Sequence, residues 1–207
     1  MRWTFTISCV ASLFALLSSA NADIVTFQFS GNVTQVPLDD VFGDIAFGDA
    51  IRGSYFFDTA AIDLVPDPAI GSFTFSAPFG MAATIGVHDF RAFGSLNIGI
   101  LNSFVDQYTV LARNASGDLT MELFLQDNTG SVFTNDQLPL AFPPLDSFAQ
   151  KDFHLNARLA GREIQVDGQL DAPDAQVVPE PSLVGPVLAG SIILLVLARR
   201  RRLLQFN

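Results

Sequence analysis

The sequence predicts an all-β fold: an antiparallel β-sandwich of the jelly-roll kind, flanked by an N-terminal signal peptide and a single C-terminal transmembrane helix. Three observations favour this fold. Apolar and polar residues alternate over most of residues 23–171, which is the pattern of strands with one buried face. Glycine, aspartate and proline recur between the alternating runs, as in turns. The region between the two apolar termini has no amphipathic helix pattern, so it is predicted as one β domain.

About eight to ten short strands follow one another along this domain. Their apolar side chains are expected to interdigitate between two facing sheets. A turn is predicted at 127–130, a proline-rich loop at 138–144 and a hairpin turn at Ala160 and Gly161. The positions predicted to face the core are, in chain order, Val25, Phe27, Phe29, Ile51, Tyr55, Phe57, Phe73, Phe75, Met81, Ala83, Ile85, Val87, Leu96, Ile98, Ile100, Tyr108, Val110, Ala112, Leu119, Met121, Leu123, Leu125, Phe153, Leu155, Ala157, Leu159, Ile164, Val166 and Leu170.

Residues 1–22 have the three parts of a secretory signal peptide. Arg2 supplies the positive start, the stretch 7–17 is apolar, and Ala20 and Ala22 form an A-x-A cleavage site. The mature chain is therefore expected to begin at Asp23. The single cysteine, Cys9, precedes the end of the apolar stretch, which excludes a lipoprotein cysteine. A mature chain without cysteine has no disulfides, thiolate metal sites or cysteine nucleophile.

The predicted domain is strongly acidic. Between residues 23 and 176 there are twenty acidic and six basic side chains. Nucleic-acid binding is excluded, because phosphate contacts need clustered lysine and arginine. Acidic composition can also indicate disorder, but the chain has 20 phenylalanines, which supply ample apolar surface to bury.

The C-terminal segment 179–202 is predicted to direct the protein to a membrane. It follows a short spacer, 172–178, and precedes a cytoplasmic tail, 203–207. The uncharged stretch 182–198 spans about 25 Å as a helix, close to a hydrocarbon core of about 30 Å. Arginine stems can cover the difference. The cluster that stops transfer consists of Arg199, Arg200, Arg201 and Arg202, which cross the bilayer only at high cost.

This tail resembles the PEP-CTERM sorting signal of Gram-negative bacteria. The shared parts are Pro179, Glu180 and Pro181, then the apolar span, then the arginine cluster. The resemblance implies that exosortase, a membrane-embedded cysteine transpeptidase, cuts near the motif. It also implies an inner-membrane intermediate facing the periplasm, followed by release to the cell surface or matrix, with exopolysaccharide as a further partner. The pentapeptide 203–207 and Pro186 depart from the usual pattern.

Few residues suggest catalysis. His88 and Asp89 could form a base and its orienting carboxylate, or His88 could share a metal with His154. Glu122 and Glu163 could be a glycosidase pair, which requires two carboxyl groups about 5–9.5 Å apart. The alternative for all of these positions is a solvent-facing residue on a polar strand face.

The aspartates of the first long loop are the best candidates for a metal site. A structural calcium could bind Asp39, Asp40, Asp44 and Asp49, since calcium prefers carboxylate and carbonyl oxygens. Their alternative role is to form turns. A sugar-binding site is disfavoured, because the mature chain would have no tryptophan and only Tyr55 and Tyr108.

The sequence therefore predicts an exported protein of the cell surface or extracellular matrix with no catalytic activity and no cofactor of its own. Two alternatives stay open. One is an exported hydrolase or lyase acting on polysaccharide, and the other is a calcium-dependent adhesin or binding module.

Overall fold

The structure, a computed structural model, describes residues 24–36, 44–159 and 161–171. Within these ranges the chain forms ten strands and one short 3-10 helix, Leu145–Ser147. The strands are β1 (Ile24–Gln35), β2 (Ala50–Asp58), β3 (Ile70–Ser76), β4 (Gly80–Ile85), β5 (His88–Ala92), β6 (Ser95–Asn102), β7 (Asp106–Arg113), β8 (Leu119–Asp127), β9 (Gln150–Leu159) and β10 (Arg162–Leu170).

All ten strands belong to one antiparallel sheet, in the order β3-β6-β7-β8-β9-β10-β1-β2-β4-β5. Strands β6 to β10 form a meander, and β1 then joins this meander to the half made of β2, β4 and β5. The sheet curls over its inner face, so that β5 approaches β8 and β4 approaches β6 and β7. The all-β, antiparallel prediction is confirmed.

The prediction of two separate jelly-roll sheets differs from this arrangement. β1 is 12 residues long, and its two parts pair with different neighbours. Ile24–Asn32 pairs with β2, and Gly31–Gln35 pairs with β10. β1 therefore forms backbone hydrogen bonds with both halves of the sheet. Alternation cannot distinguish a curled sheet from two packed sheets, because both bury one face of every strand.

A second difference concerns the strand predicted to run through Val87. β4 ends at Ile85, and Gly86 adopts a positive φ of 58°. That backbone conformation begins a tight turn into β5 and is easily adopted by glycine. Val87 lies in the turn and is 81% exposed. Its predicted place in the core is therefore wrong.

The core fills the concave inner face of the sheet. Phe27 is fully buried and makes edge-to-face contacts with Tyr55, Phe57 and Phe142, at ring-centroid distances of 5.4–5.5 Å. Such contacts add to the free energy of apolar burial. Phe142 belongs to the loop 128–149, which includes the predicted proline-rich segment. Other side chains of this loop that pack against the core are Val132, Phe133, Leu138, Leu145 and Phe148.

Two tyrosines form a polar pair within this apolar core. Tyr55 and Tyr108 are both fully buried, and their hydroxyl oxygens lie 2.9 Å apart in a hydrogen bond. Burial raises the pKa of both side chains, because the phenolate form would lose its hydration.

Several predicted features lie outside the described residues. They are the signal peptide 1–22 with Ala20 and Ala22, Asp39 and Asp40, the spacer 172–178, Pro179, Glu180 and Pro181, the span 182–198, the arginines 199–202 and the tail 203–207. Among the described residues there is no helix with the length and apolar character needed to span a membrane.

We predict strong coupling between the two tyrosines. Replacing Tyr55 with Phe leaves the Tyr108 hydroxyl unpaired, which should lower the free energy of unfolding by about 1–3 kcal/mol. The double variant Tyr55→Phe/Tyr108→Phe should lose less than the sum of the single variants, because neither core position then carries a hydroxyl. Urea denaturation of the four proteins measures this coupling. Additive losses would show that the hydrogen bond has no energetic role.

The alkaline titration of the protein should coincide with its unfolding. The chain has 2 tyrosines, and both have a raised pKa in the folded state. The stability they contribute is thus complete below the unfolded pKa of about 10 and is lost as the pH rises above it. Absorbance at 295 nm should rise only together with the loss of the β-sheet circular dichroism signal. Tyrosinate absorbance in a protein that keeps its β signal would contradict this assignment.

Candidate functional site

A groove of about 310 Å³ crosses the outer face of β1, β2, β4 and β5. This volume lies at the lower end of the range for ligand sites. The groove is lined by Gln28, Arg52, Gly53, Ser54, Ala82, Ala83, Thr84, Asp89, Phe90, Arg91 and Phe93. Several of the lining side chains are polar and lie at outward-facing positions along these four neighbouring strands. The groove is therefore part of the solvent-facing surface.

Strand register aligns the outward-facing residues of the groove and its border in two rows. One row runs Ser30–Arg52–Thr84–Asp89, and the next runs Gln28–Ser54–Ala82–Arg91. Arg52 and Arg91 are separated by two strand spacings and two residues, so their backbones are roughly 12 Å apart. Two long side chains can approach one ligand from that separation. The short Ala82 between Ser54 and Arg91 leaves the space that forms the groove.

The groove holds two arginines, although the domain is strongly acidic. Within the part of the chain that the structure describes, both salt bridges are histidine–aspartate contacts, and neither Arg52 nor Arg91 has a carboxylate within salt-bridge distance. The acidic side chain that lines the groove, Asp89, accepts a hydrogen bond of 2.7 Å from the Thr84 hydroxyl at its Oδ1 and forms no salt bridge with either arginine. The two guanidinium groups are therefore available to an anionic ligand.

An aromatic wall borders the groove. Phe93 lines the groove and is 37% exposed. The ring of Phe56 lies 5.9 Å from that of Phe93 and 5.8 Å from that of Phe79. The three rings cluster around an outward-facing position of β2, and Phe79 also packs against the core. The groove therefore combines an apolar wall with two cations.

The structure separates His88 from its predicted partners. His88 Nε2 lies 2.6 Å from Asp44 Oδ1, whereas Asp89 lies on the other face of β5 and bonds Thr84. His88 holds an inward position of β5 and His154 an outward position of β9. The predicted base–orienter pair and the shared histidine metal site are therefore both wrong.

The two predicted glycosidase carboxyl groups also lie apart. Glu122 is directly opposite His154, and Glu163 is directly opposite Arg158, on the far side of β9. Four residues along β9 and two strand spacings separate their backbones by roughly 16 Å. The register therefore does not bring Glu122 and Glu163 together as neighbours, and the glycosidase pair, whose carboxyl groups must lie about 5–9.5 Å apart, gains no support from the fold.

Register does assemble a different polar row. Glu122, His154 and Asp167 are aligned across β8, β9 and β10, and His154 Nδ1 lies 2.8 Å from Asp167 Oδ1. Gln165 also donates to Asp167, at 3.1 Å. The row lies on the outer face and includes none of the side chains that line the groove. Sequence reasoning missed this row because the pairing of distant strands has no local signal.

The aspartates predicted to bind calcium have other partners where they can be described. Asp44 contacts His88, and Asp49 Oδ2 accepts a hydrogen bond of 2.8 Å from the backbone N–H of Ala46. The second contact is that of a turn-forming aspartate. Across residues 24–36, 44–159 and 161–171, no cluster of three or more His, Cys, Asp or Glu side chains is placed to hold a metal. Calcium binding by Asp39 and Asp40 stays a prediction.

Comparison of the chain with protein-family models, with curated proteins and with solved structures gave no match.

Proposed function

We propose that this protein is an exported component of the cell surface or extracellular matrix, sorted and cut by exosortase through its C-terminal tail. The observation that carries the proposal is the order of Pro179, Glu180 and Pro181, the uncharged span 182–198 and four arginines. The signal peptide directs export, and the transmembrane helix then holds the chain in the inner membrane facing the periplasm. Cleavage near the motif releases the β domain to the surface or matrix.

The physical basis is an arrested transfer. Each arginine at mid-membrane costs about 2.5–3.5 kcal/mol on insertion scales, so four in succession stay on the cytoplasmic side. Two prolines disfavour helix at residues 179–181 and favour an extended backbone, which suits a protease substrate. The spacer 172–178 can reach at most about 25 Å. The motif therefore lies between the end of the domain at Asp171 and the bilayer surface.

Cleavage by exosortase predicts a truncated product. In a host that contains exosortase, intact-mass measurement of the released protein should show a C-terminus before Arg199. Replacing Pro179, Glu180 and Pro181 together with Ala should leave the chain uncut and in the membrane fraction, because the extended recognition segment is lost. A Gln176→Ala variant, changed outside the motif, should be released like the original. Release of a product that retains Arg199 to Arg202 would refute the proposal.

The β domain is proposed to bind an anionic extracellular polysaccharide without cleaving it. Arg52 and Arg91 support this role, because they lie in one groove without carboxylate partners. Phe93 offers an exposed ring face beside them. Guanidinium groups form paired, charge-assisted hydrogen bonds with carboxylates such as those of uronic acids. The chemistry of the groove therefore favours acidic over neutral sugars.

Removal of the two arginines should weaken this binding selectively. Arg52→Ala/Arg91→Ala should reduce affinity for alginate at least about tenfold, since each charge-assisted contact contributes about 1.5–3 kcal/mol. The matched control Arg113→Ala/Arg158→Ala has the same net charge and lies outside the groove. It should bind like the original in glycan-surface binding assays. Equal losses in both variants would contradict a defined site, and release of shortened or unsaturated sugars would favour the enzyme alternative.

A further inference from the structure

Two aspartates are buried at one end of the sheet. Asp106 begins β7 and Asp127 ends β8, and the two residues are directly opposite each other. Both face inward, with exposures of 0% and 5%. Among the described residues, these two are the charged side chains that are buried. A charge is rarely buried without a compensating partner.

The loop 128–149 satisfies three of the four carboxylate oxygens. Asp106 Oδ2 accepts backbone hydrogen bonds from Val132 at 2.7 Å and Phe133 at 2.8 Å. Asp127 Oδ1 accepts the N–H of Thr129 at 3.1 Å, and its Oδ2 accepts the Thr129 hydroxyl at 2.6 Å and the Ser131 N–H at 3.1 Å. Asp106 Oδ1 is enclosed and has no hydrogen-bond partner.

The charge at this position is incompletely compensated. No salt bridge within the described ranges involves either aspartate. The hydrogen bonds from Thr129 and Ser131 lower the pKa of Asp127, so this carboxyl group is anionic at neutral pH. Two carboxylates on opposed residues have β-carbons about 4.5–5.5 Å apart. An enclosed oxygen without a donor is the kind of group that an ion or a water satisfies.

We propose that Asp106 Oδ1 and the carboxylate of Asp127 bind one calcium ion, with backbone oxygens and water completing its coordination. Hard divalent cations take carboxylate oxygens at about 2.3–2.6 Å and accept mixed shells of this kind. Asp127 Oδ1 has a single hydrogen bond, so it retains a lone pair for the ion. This position is separate from the loop of Asp44 and Asp49.

Calcium binding would stabilise the loop 128–149 in its position over the core. Both aspartates already hold the backbone of residues 129–133, and Phe133 packs on Tyr108 and Phe148 at 6.3 and 6.0 Å. An ion between the carboxylates removes their mutual repulsion only in the folded state. With two carboxylate ligands, the dissociation constant should be about 0.1–1 mM, as in extracellular calcium modules. The inference does not rest on the proposed sorting.

Calcium should raise the melting temperature of the full chain. The protein is purified in detergent micelles, treated with EDTA and dialysed, and melted with about 10 mM calcium, magnesium or sodium chloride at equal ionic strength. Calcium should raise the melting temperature by about 3–10 °C over the sodium control. Titration calorimetry should give one calcium per chain. Absence of both effects would overturn the proposal and leave a water as the partner of Asp106 Oδ1.

Matched variants assign the effect to this pair. Asp106→Asn keeps the shape and acceptor of the side chain and should lose the calcium-dependent shift. Asp118→Asn removes the same charge from an exposed turn and should keep the full shift. If Asp106→Asn does not fold, calorimetry on Asp127→Asn replaces it, with an affinity loss of at least tenfold expected. A calcium shift that is equal in the Asp106→Asn and Asp118→Asn proteins would place the ion elsewhere and overturn the proposal.

Discussion

The fold depends on how a single sheet buries its own apolar face. The axes of ten neighbouring strands span about 43 Å, and no second sheet covers them in the described part of the chain. The sheet therefore curls until β4 and β5 approach β6, β7 and β8. Curling leaves one end open, and the loop 128–149 closes it with Phe133, Phe142 and Phe148. A loop whose only regular element is the 3-10 helix Leu145–Ser147 thus becomes part of the core.

This closure explains where the buried polar groups lie. A loop that crosses strand ends brings backbone N–H groups into the interior, and each of them needs an acceptor. Asp106 and Asp127 supply these acceptors from the last inward positions of their strands. The carboxylates thus fix the loop that covers the rings. The use of carboxylates as these acceptors also concentrates negative charge in the interior, where it is hardest to hydrate.

The strands were predictable because alternation is local. The positions of Phe27, Met121 and Leu155 in the core follow from neighbours two residues away. The curl was not predictable, since it depends on β1 pairing with both β2 and β10. The groove had no distinctive sequence signal, since all six cations of the domain fall on strands. Its assembly needed the pairing of Ser54 with Ala82, and of Ala82 with Arg91.

The groove would attract the proposed anionic polysaccharide, whereas the rest of the domain would repel it. The excess of acidic residues repels such a polymer at long range, but salt at physiological strength limits that repulsion to about 8 Å. Inside the groove, Arg52 and Arg91 are far closer to a bound carboxylate than most of the surface acids are. Local attraction can then exceed the screened repulsion, while strands that lack arginine on their outer face remain repelled. An acidic surface with one cationic groove therefore favours binding in one position over coating of the domain by polymer.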